Sequence, residues 1–191
     1  SFRAWAQAVR PSSWQLPGGD AAARAEAVIA RAREAQGEVK ELDLSRLQLT
    51  RLPNGLAQLK SLERLSLAHN RLAAFPGALA ELPRLQWLVL AHNRITQLPP
   101  DVGRLQGLQR LDLAHNHLAE LPDEIGGLRK LTHLDLAHNR LQALPAAVGE
   151  LRRLELVRLA HNRLADLPAG VSRWAALERV DLSANDLGRV P

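Results

Sequence analysis

LQRLDLAHNHLAELPDEIGGLRK, residues 108–130, decides the fold. Its middle alternates, with Leu111 and Leu113 set between Arg110, Asp112 and Ala114, the period of a short strand with one buried face. Asn116 follows, carrying both a donor and an acceptor for backbone groups left free where a chain turns inward. Pro122 then ends the extended structure, and Ile125 and Leu128, three residues apart, predict one turn of short helix with its apolar side inward.

The same phrase recurs on both sides with a strict period of 23 residues, as LSLAHNRL, LVLAHNRI, LDLAHNRL and VRLAHNRL. Coils begin at Val39, Leu62, Leu85, Leu108, Leu131, Leu154 and Leu177. The turn asparagines fall at 70, 93, 116, 139, 162 and 185, and prolines close the motif from Pro53 to Pro191. Such strands pair in parallel about 4.8 Å apart, giving a ladder roughly 30 Å long. Leu47 replaces the asparagine of the first coil, so that turn's side-chain bonds must come from elsewhere. Phe75 and Trp174 fill leucine positions.

These copies resemble the leucine-rich-repeat family, and the L-P-x-x-aliphatic-x-x-L half is similar to its 23-residue intracellular, Ras-suppressor-like class. The resemblance implies an α/β solenoid, a curved horseshoe with parallel strands on the concave face and short helical or 3₁₀ turns on the convex side. It also implies a protein-recognition module using the concave face. Bacterial effectors with ligase domains and Roco-type GTPases carry similar arrays, so a targeting or scaffold role within a larger enzyme is the alternative.

The ends need caps, because a stacked array exposes an apolar face at each terminus. Residues 20–37 read as a capping helix, with Asp20 at its start, Gly37 as its stop, and Ala25, Val28, Ile29 and Ala32 on one side. Residues 1–19 are a helix or a linker, since Phe2, Trp5 and Val9 have helical spacing before RPSSWQLPGG breaks it. Residues 38–191 form the seven-coil array, the last coil truncated, which suggests a piece of a longer protein.

Composition narrows the function. The chain has no cysteine, which removes disulfides and thiolate chemistry and favours a reducing compartment. No signal peptide or spanning helix is apparent, so a cytoplasmic protein, or an effector delivered into a host cell, is expected. The balance of 22 arginines against three lysines, with a net charge of +5, is of the kind GC-rich bacterial genes encode. No nucleophile elbow, phosphate loop or metalloprotease motif occurs. His133 and Asp135 share a strand side, but no serine stands at a matching position nearby, so no catalytic residue and no cofactor is expected.

The fold leaves three outward columns free to vary. The first reads Glu41, Arg64, Trp87, Arg110, His133, Leu156, Arg179; the second Asp43, Ser66, Val89, Asp112, Asp135, Arg158, Asp181. The third is small, running from Ser45 through Ala68, Ala91, Ala114, Ala137 and Ala160 to Ser183. Trp87, Val89 and Leu156 are apolar where a wet surface needs nothing apolar, and tryptophan beside arginine is a hot-spot composition. The expected partner site is therefore Arg64, Trp87, Val89, Arg110, Asp112, His133, Asp135, Leu156 and Arg158. The competing reading is that Arg64 and Arg110 merely cover Trp87 by cation–π packing.

A second surface is a basic edge. His69, His92, His115, His138 and His161 occupy one repeat position, with Arg71, Arg94, His117, Arg140 and Arg163 two residues further on. The histidines read as a copied surface residue, a pH-responsive column or a metal ladder; no carboxylate recurs beside them to complete a metal shell. The edge suits an anionic ligand, yet lacks the interleaved aromatics of nucleic-acid binders, which disfavours nucleic acid.

Overall fold

The computed structural model describes residues 20–34, 39–53 and 55–188. Helix α1 (Ala21–Glu34) comes first, and its start is capped by the Asp20 carboxylate, which accepts the Ala23 N–H at 2.8 Å. The expected stop at Gly37 and the segment 1–19 lie outside the described residues. Ala25, Val28, Ile29 and Ala32 are buried in the same apolar cluster as Leu42, Leu44 and Leu47 of the first coil, so α1 covers that end of the stack.

Seven three-residue strands follow: β1 (Glu41–Asp43), β2 (Arg64–Ser66), β3 (Trp87–Val89), β4 (Arg110–Asp112), β5 (His133–Asp135), β6 (Leu156–Arg158) and β7 (Arg179–Asp181). They form one parallel sheet in sequence order, and every pairing joins residues 23 apart, such as Trp87 with Arg64 and with Arg110. Between strands lie 3₁₀ turns, Pro100–Arg104 and Asp123–Gly127 among them. The leucines of strand and turn meet in one continuous core. Stacked turns leave little room between them: a Cβ at Gly149 would sit 2.7 Å from the Gly170 carbonyl oxygen.

The asparagines bind each coil to the one before it. Asn116 accepts the Ile95 N–H at 3.0 Å and donates to the carbonyls of Leu90 and Leu113, both at 3.0 Å. Asn93, Asn139, Asn162 and Asn185 repeat that set. The exception at Leu47 now has a reason. Each asparagine reaches back one coil, and the first coil has none behind it, so an apolar residue that packs toward α1 serves better. Its own turn is supplied from ahead, since the Asn70 carboxamide oxygen accepts both the Leu47 and Leu49 N–H groups, at 3.2 and 3.0 Å. Trp174, in its leucine position, is buried and donates its indole N–H to the Val148 carbonyl at 2.8 Å.

Chemical denaturation can separate these contributions. Leu113→Ala should cost about 2–5 kcal/mol through its cavity, and Asn116→Ala about 1–3 kcal/mol through the polar groups it strands. Asp112, expected to be a surface residue, is buried and its carboxylate accepts the Ala114 N–H at 3.0 Å. Asp112→Ala should therefore cost roughly 1 kcal/mol rather than nothing. Equal losses from all three changes would contradict this assignment of roles.

Candidate functional site

Parallel pairing in strict register lines up the first outward column across the sheet. Trp87 on β3 is half-buried and lies between its two register partners, with the Arg64 guanidinium 4.4 Å and the Arg110 guanidinium 4.3 Å from the indole centroid. Each such contact is worth about 0.5–1 kcal/mol at an exposed site and more when desolvated. Arg64 also binds the Glu41 carboxylate. Burial, then the like charge of Arg64, lowers the Arg110 pKa, and the Glu155 carboxylate opposes this. Glu41, Arg64, Trp87 and Arg110 thus form one row of alternating charge and ring.

His133 continues the row on β5, its Nδ1 2.9 Å from the Thr132 hydroxyl. Burial pushes its imidazole pKa down and the Arg110 charge adds to that, while Glu155 opposes it. Leu156 on β6 is partly exposed, and Arg158 pairs with Asp135 at 3.2 Å. The row therefore brings together Arg64, Trp87, Arg110, His133 and Leu156, with Asp135 and Arg158 beside it.

Two expected members do not reach the surface. Val89 is 4% exposed, packed in a cluster with the alanines from Ala68 to Ala160, and Asp112 is 6% exposed. Strands about 4.8 Å apart expose only the tip of each outward side chain, so Ser66, Val89 and Asp112 are closed over by their neighbours while Asp135 stays half-buried and Arg158 exposed. The alanine column is likewise buried. Sequence reading also missed a duty of the second column: Asp43, Asp112, Asp135 and Asp181 each accept the N–H two residues on, at 2.8–3.1 Å. The D-L-x phrase carries that signal, since aspartate commonly bonds backbone two residues ahead.

The basic edge is equally regular. The five column histidines stand at φ of 55–57°, the left-handed region, and their rings stack at 4.1–4.2 Å between centroids with planes 8–12° apart. Arg71, Arg94, Arg140 and Arg163 are exposed, and His117 holds the Asn116 carbonyl through Nδ1 at 3.0 Å. Among the described residues no group of three or more His, Cys, Asp or Glu side chains is placed to hold a metal ion. A further cationic cleft of about 490 Å³ is lined by Arg129, Lys130, Glu150, Arg152 and Arg153. Its signal was the pair RK and RR one period apart.

A seven-strand parallel ladder with this motif defines a leucine-rich-repeat solenoid. The leucine rich repeat family model matches residues 37–95 and 83–141, and the chain belongs to that family. A leucine-rich-repeat protein of Leptospira interrogans is similar at 33% identity and a TM-score of 0.73, over 85% of this chain and 47% of that one. The chain thus spans about half the length of that protein. An internalin of Listeria monocytogenes shares the fold at 23% identity and a TM-score of 0.56, over 73% of this chain and 39% of the other. A comparison with curated proteins gave no match. No described helix is long and apolar enough to cross a membrane.

The lowered His133 pKa has a sign that can be checked. A group kept neutral by the fold contributes stability that is full above the ordinary histidine value near 6.5. That contribution is lost as pH falls below this value towards the folded pKa. His133→Gln should therefore flatten part of the acid-side decline in melting temperature and leave neutral pH little changed. An unaltered acid limb in that variant would contradict the assignment.

Proposed function

We propose that the chain is a non-catalytic protein-recognition module that captures a protein partner on its strand face, with Trp87 as the anchor. The observation that carries this is the half-exposed indole held between two guanidiniums. The clamp fixes the ring in one orientation before any partner arrives, which lowers the ordering cost of binding. The clamp does not remove the indole from the surface; it leaves part of it accessible. Leu156 supplies a second apolar contact, and Arg110, His133, Asp135 and Arg158 supply orientation through polar bonds.

The family context supports a binding role, and the absence of cysteine fits a chain that works in a reducing compartment, in a bacterial cytoplasm or after delivery into a host cell. The 23-residue period and the L-P half of each coil support the intracellular, Ras-suppressor-like class. Within a longer protein the same face would serve as the targeting part.

The test uses a partner recovered with the intact chain and titrated against variants. Trp87→Ala should weaken affinity by roughly thirtyfold or more, the usual result of removing a tryptophan anchor worth about 2 kcal/mol. The variant should stay folded, with its melting temperature lowered by only a few degrees through the two lost cation–π contacts. Binding that survives Trp87→Ala but disappears in Arg71→Ala and Arg163→Ala would place the partner on the basic edge instead.

A further inference from the structure

The basic edge is not a requirement of the fold. Its histidine position takes the same left-handed backbone angle in the first and seventh coils, where Arg46 and Ala184 stand at φ of 59° and 52°. An arginine or an alanine therefore satisfies the turn. Histidine, one of the non-glycine residues that tolerate left-handed backbone best, fills all five intervening coils.

The neighbouring arginine column has the same limits. It runs through Arg71, Arg94, His117, Arg140 and Arg163, with Gln48 before it and Asp186 after it. Arg71, Arg94, Arg140 and Arg163 form no ion pair among the described residues, in contrast to Arg64, Arg152, Arg158 and Arg173. The nearby carboxylates, Glu120 and Asp166, lie three residues further along their coils. The imidazoles stack face to face beside the arginines, which form the exposed line of the edge.

Both columns run along the solenoid axis for four coil spacings, about 19 Å at the backbone, and the histidine rings draw in to 4.1–4.2 Å apart above it. The period selects the ligand. In an α-helix laid along that axis, acidic residues at alternating three- and four-residue intervals recur about every 5.4 Å. Against arginine-bearing coils about 4.8 Å apart, this drifts roughly 2–3 Å over the arginine column, within the reach of those side chains. An extended peptide places like-facing side chains about 6.8 Å apart and drifts roughly 8 Å over the same length. Arginine suits carboxylates because its planar fork donates two parallel hydrogen bonds.

We propose that the edge formed by the histidine column His69–His161 and the arginine column Arg71–Arg163 docks an acidic α-helix of a protein partner. The helix lies along the solenoid axis with one carboxylate per turn facing the arginines. To span the edge it needs about thirteen residues. This surface is separate from the Trp87 face, so the two sites succeed or fail independently.

Fluorescence anisotropy with labelled alanine-based helical peptides of about 18 residues tests the assignment. One peptide carries glutamates as a single stripe, and a second has the same composition with the glutamates distributed around the helix. A single-stranded oligonucleotide and inorganic polyphosphate serve as the other probes, all at low salt. The striped peptide should bind at least about tenfold more tightly than the distributed one. Arg94→Gln combined with Arg140→Gln should reduce its affinity by about tenfold, and Trp87→Ala should not. Circular dichroism melts should be unchanged in the double variant, since both arginines are exposed. Equal affinity for the two peptides would overturn the proposal, as would stronger binding of the oligonucleotide or polyphosphate. Undiminished binding by the double variant would overturn it too.

Discussion

One hydrogen-bonding side chain per coil, the buried asparagine, is the interaction on which the rest depends. Its carboxamide faces two coils at once, accepting an N–H from the preceding coil and donating to carbonyls of both. Those backbone groups lie where the chain turns away from the strand and have no sheet partner there. Left unpaired and buried, each would cost about 1–3 kcal/mol. The repeat period cannot slip by a residue without breaking this set, and the strand pairing inherits the same 23-residue register.

Register turns a one-dimensional sequence into a surface. Residues one period apart become neighbours across the sheet, so Arg64, Trp87 and Arg110 meet although they are far apart in the chain. The same rule stacks five imidazoles and aligns the arginines beside them. One structural period therefore lays out two rows of side chains, the strand row and the edge that flanks the turn asparagine. The strand face holds an indole between two guanidiniums; the edge holds a line of arginines beside stacked imidazoles.

Most of the fold was legible because leucine, asparagine and proline recur in phase, and each has a duty the spacing reveals. Strands, 3₁₀ turns and the covering helix all follow from that reading. Leu47 looked like a defect and is a boundary condition, which becomes visible only once the asparagines are seen to reach backwards. The site was legible in part. Trp87 between two arginines could be read from the column, whereas the burial of Val89 and Asp112 could not. Alternation tells which way a side chain points, but exposure also depends on its length relative to its neighbours. The sequence also carries the aspartate bonds to the N–H two residues on, although Asp112 and Asp135 read there as residues that meet a partner.

Hydrogen exchange resolved at single amides, comparing the intact chain with Asn139→Ala, tests the claim that asparagine fixes the coil-to-coil register. In the intact chain the Leu118 N–H is held by Asn139, the Ile95 N–H by Asn116 and the Leu141 N–H by Asn162. The asparagine account predicts that the variant loses protection most strongly at Leu118, with Ile95 and Leu141 retaining far more. Unchanged protection at Leu118, or an equal loss at all three amides, would contradict it.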